Sequence, residues 1–245
     1  MSTRLEFFFD PICPFCWVTS RWVVAVQGQR DLDVTWRPLS LALLNEGISY
    51  EERKQASPEY PDSHRRGLEM LRVVHAAREA HGPEVVGDLY TALGELVWDA
   101  DAPEGDDFRA VMHEMAMVRD LRPALERVGL PADLAGAAGD EARDDDLRAE
   151  TQEAVDRCGG GVGTPILSFA PAGSPSDEQG DAGGGPALFG PVIDSVPDAD
   201  DALRLWDAVE TLARWPGFAE LKRTARSFPD TPLSAKLART RTRVR

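Results

Sequence analysis

Asp10-Pro11-Ile12-Cys13-Pro14-Phe15-Cys16-Trp17 stands directly after the apolar run Leu5 to Phe9 and directly before an amphipathic segment. The thiolate is the reactive form of cysteine, and the free N–H groups and dipole at a helix N-terminus lower a thiol's pKa. Pro14 suits the first helical position, where its missing N–H has no intrahelical partner. Cys13 therefore reads as a helix cap and Cys16 as a residue one turn inside. That spacing makes two unequal thiols: Cys13 is expected to be the exposed attacking nucleophile, and Cys16 the shielded thiol that resolves a mixed disulfide. The competing reading of a CxxC step is half of a zinc site. Structural zinc takes four ligands, commonly two such pairs or Cys with closely spaced His. Here Cys158 stands alone, and His64, His75, His81 and His113 form no short-spaced pair, so no metal site is assigned.

Outward from this step, Leu5 to Phe9 reads as a central strand covered on both faces. Cys16 to Gln29 carries Trp17, Trp22, Val23 and Val26 at helical spacing and stops near Gly28; Asp33 to Arg37 alternates as a second strand, stopped by Pro38. A strand, helix, strand unit of this length implies a parallel crossover. From Leu39 to Thr164 strand signal almost vanishes. Helices are expected over about 62–81, over 84–97, from a cap at Asp106 or Asp107 through Val118, around Leu125 after Pro123, and over 140–157. Strand signal returns at Ile166 to Phe169 and Ala187 to Phe189. The Gly-, Ser- and Pro-rich stretch between them, 171–186, reads as a mobile hairpin loop. A helix over Asp198 to Leu212, a short helical piece through Lys222 and a frayed basic tail complete the chain.

A chain of 245 residues can bury a full core. Met1 to Asp10 does not read as a signal peptide and no stretch reaches transmembrane length, so a cytoplasmic protein with no membrane association is expected. In a reducing compartment a structural disulfide is unfavourable, which points the Cys13/Cys16 pair toward catalysis or sensing. With 42 acidic against 27 basic residues and a net charge of −15, nucleic acid and anionic membranes are poor partners. A homodimer is left open.

The second chemical signal is Val162-Gly163-Thr164-Pro165, just before the returning strand. A CxxC after strand one, a large helical insertion and Gly-Thr-Pro before strand three resemble the DsbA-like branch of the thioredoxin fold. The expected fold class is therefore α/β, thioredoxin-like of the DsbA type, with the helical insertion between strands two and three. Boundaries are set at 1–39 plus 160–228 for the thioredoxin-like domain, 40–159 for the helical subdomain and 229–245 for a mobile tail. The resemblance implies a cis Pro165 beside the dithiol, with Gly163 giving clearance for a thiol-bearing ligand; an ordinary trans proline opening the strand is the alternative. Shorter matches narrow it. Phe9-Asp10-Pro11 with the CxxC step, Ser20-Arg21-Trp22, Leu44-Asn45-Glu46, Ala80-His81-Gly82, Phe189-Gly190-Pro191, Leu205-Trp206-Asp207 and Glu220-Leu221-Lys222-Arg223-Thr224 are similar to the actinobacterial mycothiol-dependent nitroreductases. This likeness implies a thiol-dependent oxidoreductase with catalytic Cys13 and Cys16, contacts to substrate or thiol from Pro14, Phe15, Trp17, Gly163, Thr164 and Pro165, and mycothiol as reductant with no tightly bound cofactor. Its partners are a small thiol and an electrophilic or disulfide substrate, nitroaromatics included. The chain departs from the family at Phe15, where Trp is usual, a position that tunes thiolate stability.

Two other functions fit the same dithiol: a protein disulfide oxidoreductase or isomerase, and a non-enzymatic redox sensor. Cys158 reads as a small buried hydrophobe, Met112, Met115 and Met117 as core, and His81 as a helix-end residue. Trp17, Trp22 and Trp36 read as core, with Trp17 also able to wall the thiol cleft.

Overall fold

The computed structural model describes residues 2–46, 58–104, 108–171, 185–223 and 227–237. Strand β1 (Thr3–Phe9) is central in a four-stranded sheet of order β2-β1-β3-β4. It pairs in parallel with β2 (Leu32–Pro38), Phe7 opposite Trp36, and antiparallel with β3 (Ile166–Phe169), Phe7 opposite Leu167. β3 pairs antiparallel with β4 (Ala187–Phe189). Helix α1 (Pro14–Gln27) makes the parallel connection, as a crossover requires. The two faces of β1 enter different apolar clusters: Leu5, Phe7 and Phe9 join the main core, while Phe8 packs with Leu39, Ala154 and Ile166. This is the alternation of a strand covered on both sides.

Between β2 and β3 the chain is helical, as the apolar spacing predicts: α2 (Leu41–Leu44), α3 (Tyr60–His81), α4 (Val85–Trp98), α5 (Phe108–Ala116), α6 (Arg122–Arg127), short 3₁₀ turns at Ala132–Gly139 and Glu141–Arg143, then α7 (Asp144–Arg157). These helices share one continuous core with the sheet. Tyr90 of α4 stacks on Phe9 of β1 with ring centroids 4.0 Å apart, and Trp17 of α1 meets the same Tyr90 edge-on. Gly94 permits this contact, since a Cβ there would fall 2.3 Å from the Trp17 ring. On the opposite side α8 (Ala199–Arg214) packs beside α1, with Trp22 donating its indole N–H to the Ala202 carbonyl at 3.0 Å and resting on Trp206.

Three expectations are corrected. The helical piece through Lys222 is absent: after the turn at Trp215 the described chain to Arg223 is irregular, with Leu221 79% exposed, so no apolar face is buried to hold a helix. The tail does not fray at residue 229. Leu233 is fully buried and donates its N–H to the Trp98 carbonyl, and Thr231 and Ser234 cap one another inside. Met117 is 46% exposed at the end of α5, while Met112 and Met115 are core as expected. The proposed cap at Asp106 or Asp107, residues 172–184 of the hairpin loop and the tail beyond residue 237 lie outside the described residues.

Candidate active site

Cys13 caps α1 in extended backbone, its sulfur accepts from the Cys16 N–H at 3.5 Å, and Pro14 opens the helix. The Cys13 thiol also faces the Thr164 carbonyl at 3.9 Å, across the start of β3. The Thr164–Pro165 bond is cis, and the following segment is fastened by the Gly190 N–H donating to the Pro165 carbonyl at 2.8 Å. A second cis bond, Gly190–Pro191, was not foreseen from sequence; the Pro191 carbonyl accepts from the Thr19 hydroxyl of α1 at 2.9 Å. The two ends of the sequence signal, 151 residues apart, thus meet at one sulfur.

The thiols are unequal in the expected sense. A hydrogen bond from the Cys16 thiol holds Cys13 below the usual thiol range, against the opposing effect of burial, with Thr164 and the Cys16 N–H assisting. Burial first, and then the Cys13 sulfur, pushes Cys16 well above that range. The exposure is not as expected: Cys13 is only 6% exposed and Cys16 fully buried. The thiol cap is packed beneath the Thr164–Pro165 turn and belongs to the apolar core rather than standing in solvent.

Of the other expected contact residues, Phe15 is half-buried and packs at 6.5 Å on Phe228, which in turn meets Phe108. Trp17 does not wall the cleft. It is 5% exposed, with Tyr90 at its edge and the Arg21 guanidinium 4.4 Å above its ring. Gly163 is open; an added Cβ would find its nearest neighbours, Leu41 and Phe189, 4.0 Å away. Cys158 is half-buried in the smaller cluster around Phe8, and burial raises its thiol to about 11. Among the described residues no His, Cys, Asp and Glu cluster could hold a metal ion.

Sequence reasoning passed over several groups at the dithiol. Asp10 is fully buried; its carboxylate accepts from the Ile12 N–H at 3.0 Å and the Leu41 N–H at 2.7 Å, and burial raises it to about 7. The Trp98 indole donates to the Pro11 carbonyl at 2.9 Å, fixing the turn before Cys13 from the helical side. The Tyr90 and Thr164 hydroxyls are buried beside the dithiol, and burial raises the Tyr90 phenol well above its usual range. Asp10 had a legible signal, a lone carboxylate ending an apolar run. The approach of Phe228, Trp98 and Tyr90 had none.

A family model described as Rv2466c-like, mycothiol-dependent nitroreductase Rv2466c, matches residues 12–223. The chain belongs to this family. The uncharacterized protein Rv2286c of Mycobacterium tuberculosis (strain ATCC 25618 / H37Rv) is 30% identical over 237 residues, 96% of this chain and 86% of that protein. Solved structures that are similar include the cytosolic disulfide reductase DsbM from Pseudomonas aeruginosa, with TM-score 0.46, 18% identity, and 86% of this chain and 100% of that one covered. Another is the probable DsbA oxidoreductase SCO1869 from Streptomyces coelicolor, with TM-score 0.47, 19% identity, and 94% and 97% covered. The protein is an α/β oxidoreductase with a mixed four-stranded sheet. No helix among the described residues is long and apolar enough to cross a membrane.

Proposed function

We propose that the enzyme is a cytoplasmic, mycothiol-dependent reductase of small electrophilic or disulfide substrates, nitroaromatics included, working through the Cys13-Pro14-Phe15-Cys16 dithiol. The observation that carries this reading is the polarised pair: a Cys13 sulfur stabilised by the Cys16 thiol at a helix cap, facing the Thr164–Pro165 turn. The Cys13 thiolate attacks a disulfide R–S–S–R′, forming Cys13–S–S–R and releasing R′–S⁻. Cys16, after losing its proton, attacks the Cys13 sulfur, closes the Cys13–Cys16 disulfide and releases R–S⁻. Two mycothiol molecules then return two electrons and two protons to the pair and leave as mycothiol disulfide. With a nitroaromatic substrate the same two electrons and two protons convert the nitro group to nitroso and water.

The half-buried Phe15 and Phe228 rings, the first of them within the CxxC step, give a planar, apolar substrate a surface. A net charge of −15 favours a small, neutral thiol over nucleic acid as partner. Cys16→Ser tests the reading directly. Incubated with mycothiol disulfide, the variant is expected to retain one mycothiol as a mixed disulfide on Cys13, seen by intact-mass and peptide mass spectrometry. Absence of that adduct, or its appearance on Cys158, sinks the assignment.

A further inference from the structure

The helical lobe holds a cavity of about 220 Å³ between α3, the segment that leads into α6 and the 3₁₀ turn at Ala132–Gly139. No residue of the Cys13 step or of the Thr164–Pro165 turn lines it. Met70 and Leu121, 2% and 7% exposed, give it an apolar floor, and Ala135 and Ala138 present side chains too small to fill it. Val118, 74% exposed, stands at the edge, so the cavity meets solvent there. Two guanidinium groups complete the lining, Arg66 from α3 and Arg119 from the segment before α6.

The fold saturates neither guanidinium. Arg66 pairs through Nη1 with Glu69 at 2.5 Å, and its Nε is buried with no acceptor among the described residues. Arg119 donates from Nε to the Leu96 carbonyl at 3.0 Å and from Nη1 to the Met117 carbonyl at 3.2 Å. A guanidinium carries five N–H donors, so these two carbonyls leave most of the Arg119 fork open. No carboxylate among the described residues pairs with Arg119; Glu114 acts on it only through space, and burial holds the group below its ordinary value. The acids at the cavity are held by other cations, Glu69 by Arg66 and Asp120 by two Arg122 contacts of 2.8 Å. These pairs cancel, and the charge of Arg119 is left over in a chain whose net charge is −15. A half-buried guanidinium held only by carbonyl dipoles gains from an anion.

We propose that this cavity binds a small monocarboxylate, its head group on the Arg119 and Arg66 guanidinium groups and a short apolar body against Met70 and Leu121. A single surplus charge matches a monoanion better than phosphate, and the apolar floor matches a hydrocarbon body rather than a second charged group. A guanidinium fork meets a carboxylate in two parallel N–H···O bonds, which fixes the orientation of the ligand. The volume lies below the roughly 300–1,000 Å³ of drug-sized pockets, which limits the occupant to a few carbons.

The test needs neither mycothiol nor a substrate of the dithiol, so its failure is separable from that of the proposed activity. The full-length protein is titrated at constant ionic strength with butyrate as probe, butyramide as its neutral counterpart and inorganic phosphate, read by saturation-transfer NMR and calorimetry. Butyrate is expected to bind saturably at one site and more tightly than phosphate, and butyramide to give no signal. Arg119→Gln removes the surplus charge and should weaken butyrate about tenfold or more, the scale of a hydrogen bond to a charged group. Arg119→Lys keeps the charge, loses the fork and should fall between. Ala135→Leu fills the cavity with both guanidinium groups in place and should abolish binding. It decides the matter if Arg119→Gln, which frees the Leu96 and Met117 carbonyls, does not fold. Absence of saturable butyrate binding, butyramide binding as well as butyrate, or affinity unchanged in Arg119→Gln or Ala135→Leu overturns the proposal.

Discussion

Strand β1 carries one buried carboxylate on its side and another just past its end, and the two are held in opposite ways. Glu6, 3% exposed, meets the Arg37 guanidinium at 2.9 Å and also pairs with Arg157. Both arginines bond Glu153 as well, and both cover the Phe8 ring, at 5.0 and 5.5 Å. Asp10 has two backbone N–H groups and no cation among the described residues. A buried ion that is fully paired is fixed in its charge state and fastens elements together; one satisfied only by dipoles keeps an accessible proton. The Glu6 network ties β1 and β2 to α7, and Asp10 sits at the turn that leads into the dithiol. Burial alone does not separate structure from chemistry; the presence of a counter-charge does.

The comparison is open to tests of decreasing size. Cys13→Ser, at the chemical end, is expected to lower turnover by about 10³-fold or more, since a serine hydroxyl is not ionised near neutrality; steady-state rates with mycothiol recycling read it. Glu6→Ala leaves Arg37 and Arg157 partly uncompensated at a buried site and should cost about 3–5 kcal/mol in urea unfolding. It should leave the thiolate titration of Cys13 in place, and a shifted titration there would merge the two regions that the geometry separates.

Asp10 gives a pH signature of opposite sign to a paired carboxylate. Its folded-state pKa of about 7 lies above the unfolded value, so between these limits the folded form holds a proton that the unfolded chain has released. Stability therefore falls as pH rises from about 4 to about 7, by up to roughly 4 kcal/mol at about 1.4 kcal/mol per unit. Unfolding midpoints across that range should lose this slope in Asp10→Asn. Gly94→Ala, which drives a methyl into the Trp17 ring, should cost about 1–3 kcal/mol by thermal or urea unfolding. Cys158→Ser comes last. With its thiol pushed up to about 11 in an apolar cluster, turnover is expected to be unchanged; a measurable loss would make it a third redox group.

Sequence by itself determined the frame. The CxxC step with Pro14, the unbroken Leu5 to Phe9 run and the 3.6-residue spacing from α3 to α8 define local structure, and local propensity together with apolar periodicity is written in neighbouring residues. The strands at 166–169 and 187–189 fall where expected for the same reason. The direction of the polarity was legible too, because the CxxC spacing brings the Cys16 thiol to the Cys13 sulfur, whereas the burial that raises Cys16 comes from the packing around it. Tertiary structure decided what lies across the chain from them. Cys13 is covered rather than exposed because the Thr164–Pro165 turn returns over it, and Trp17 turns to the core because Gly94 of another helix leaves room for its ring. The segment around Leu233 is anchored because Trp98, far away in sequence, offers a carbonyl. Asp10 shows the division most sharply. Its place beside Cys13 is plain in the sequence, but its burial with no cation beside it among the described residues is set by packing against Leu41 and Gly67, and a carboxylate's charge depends on what is packed around it.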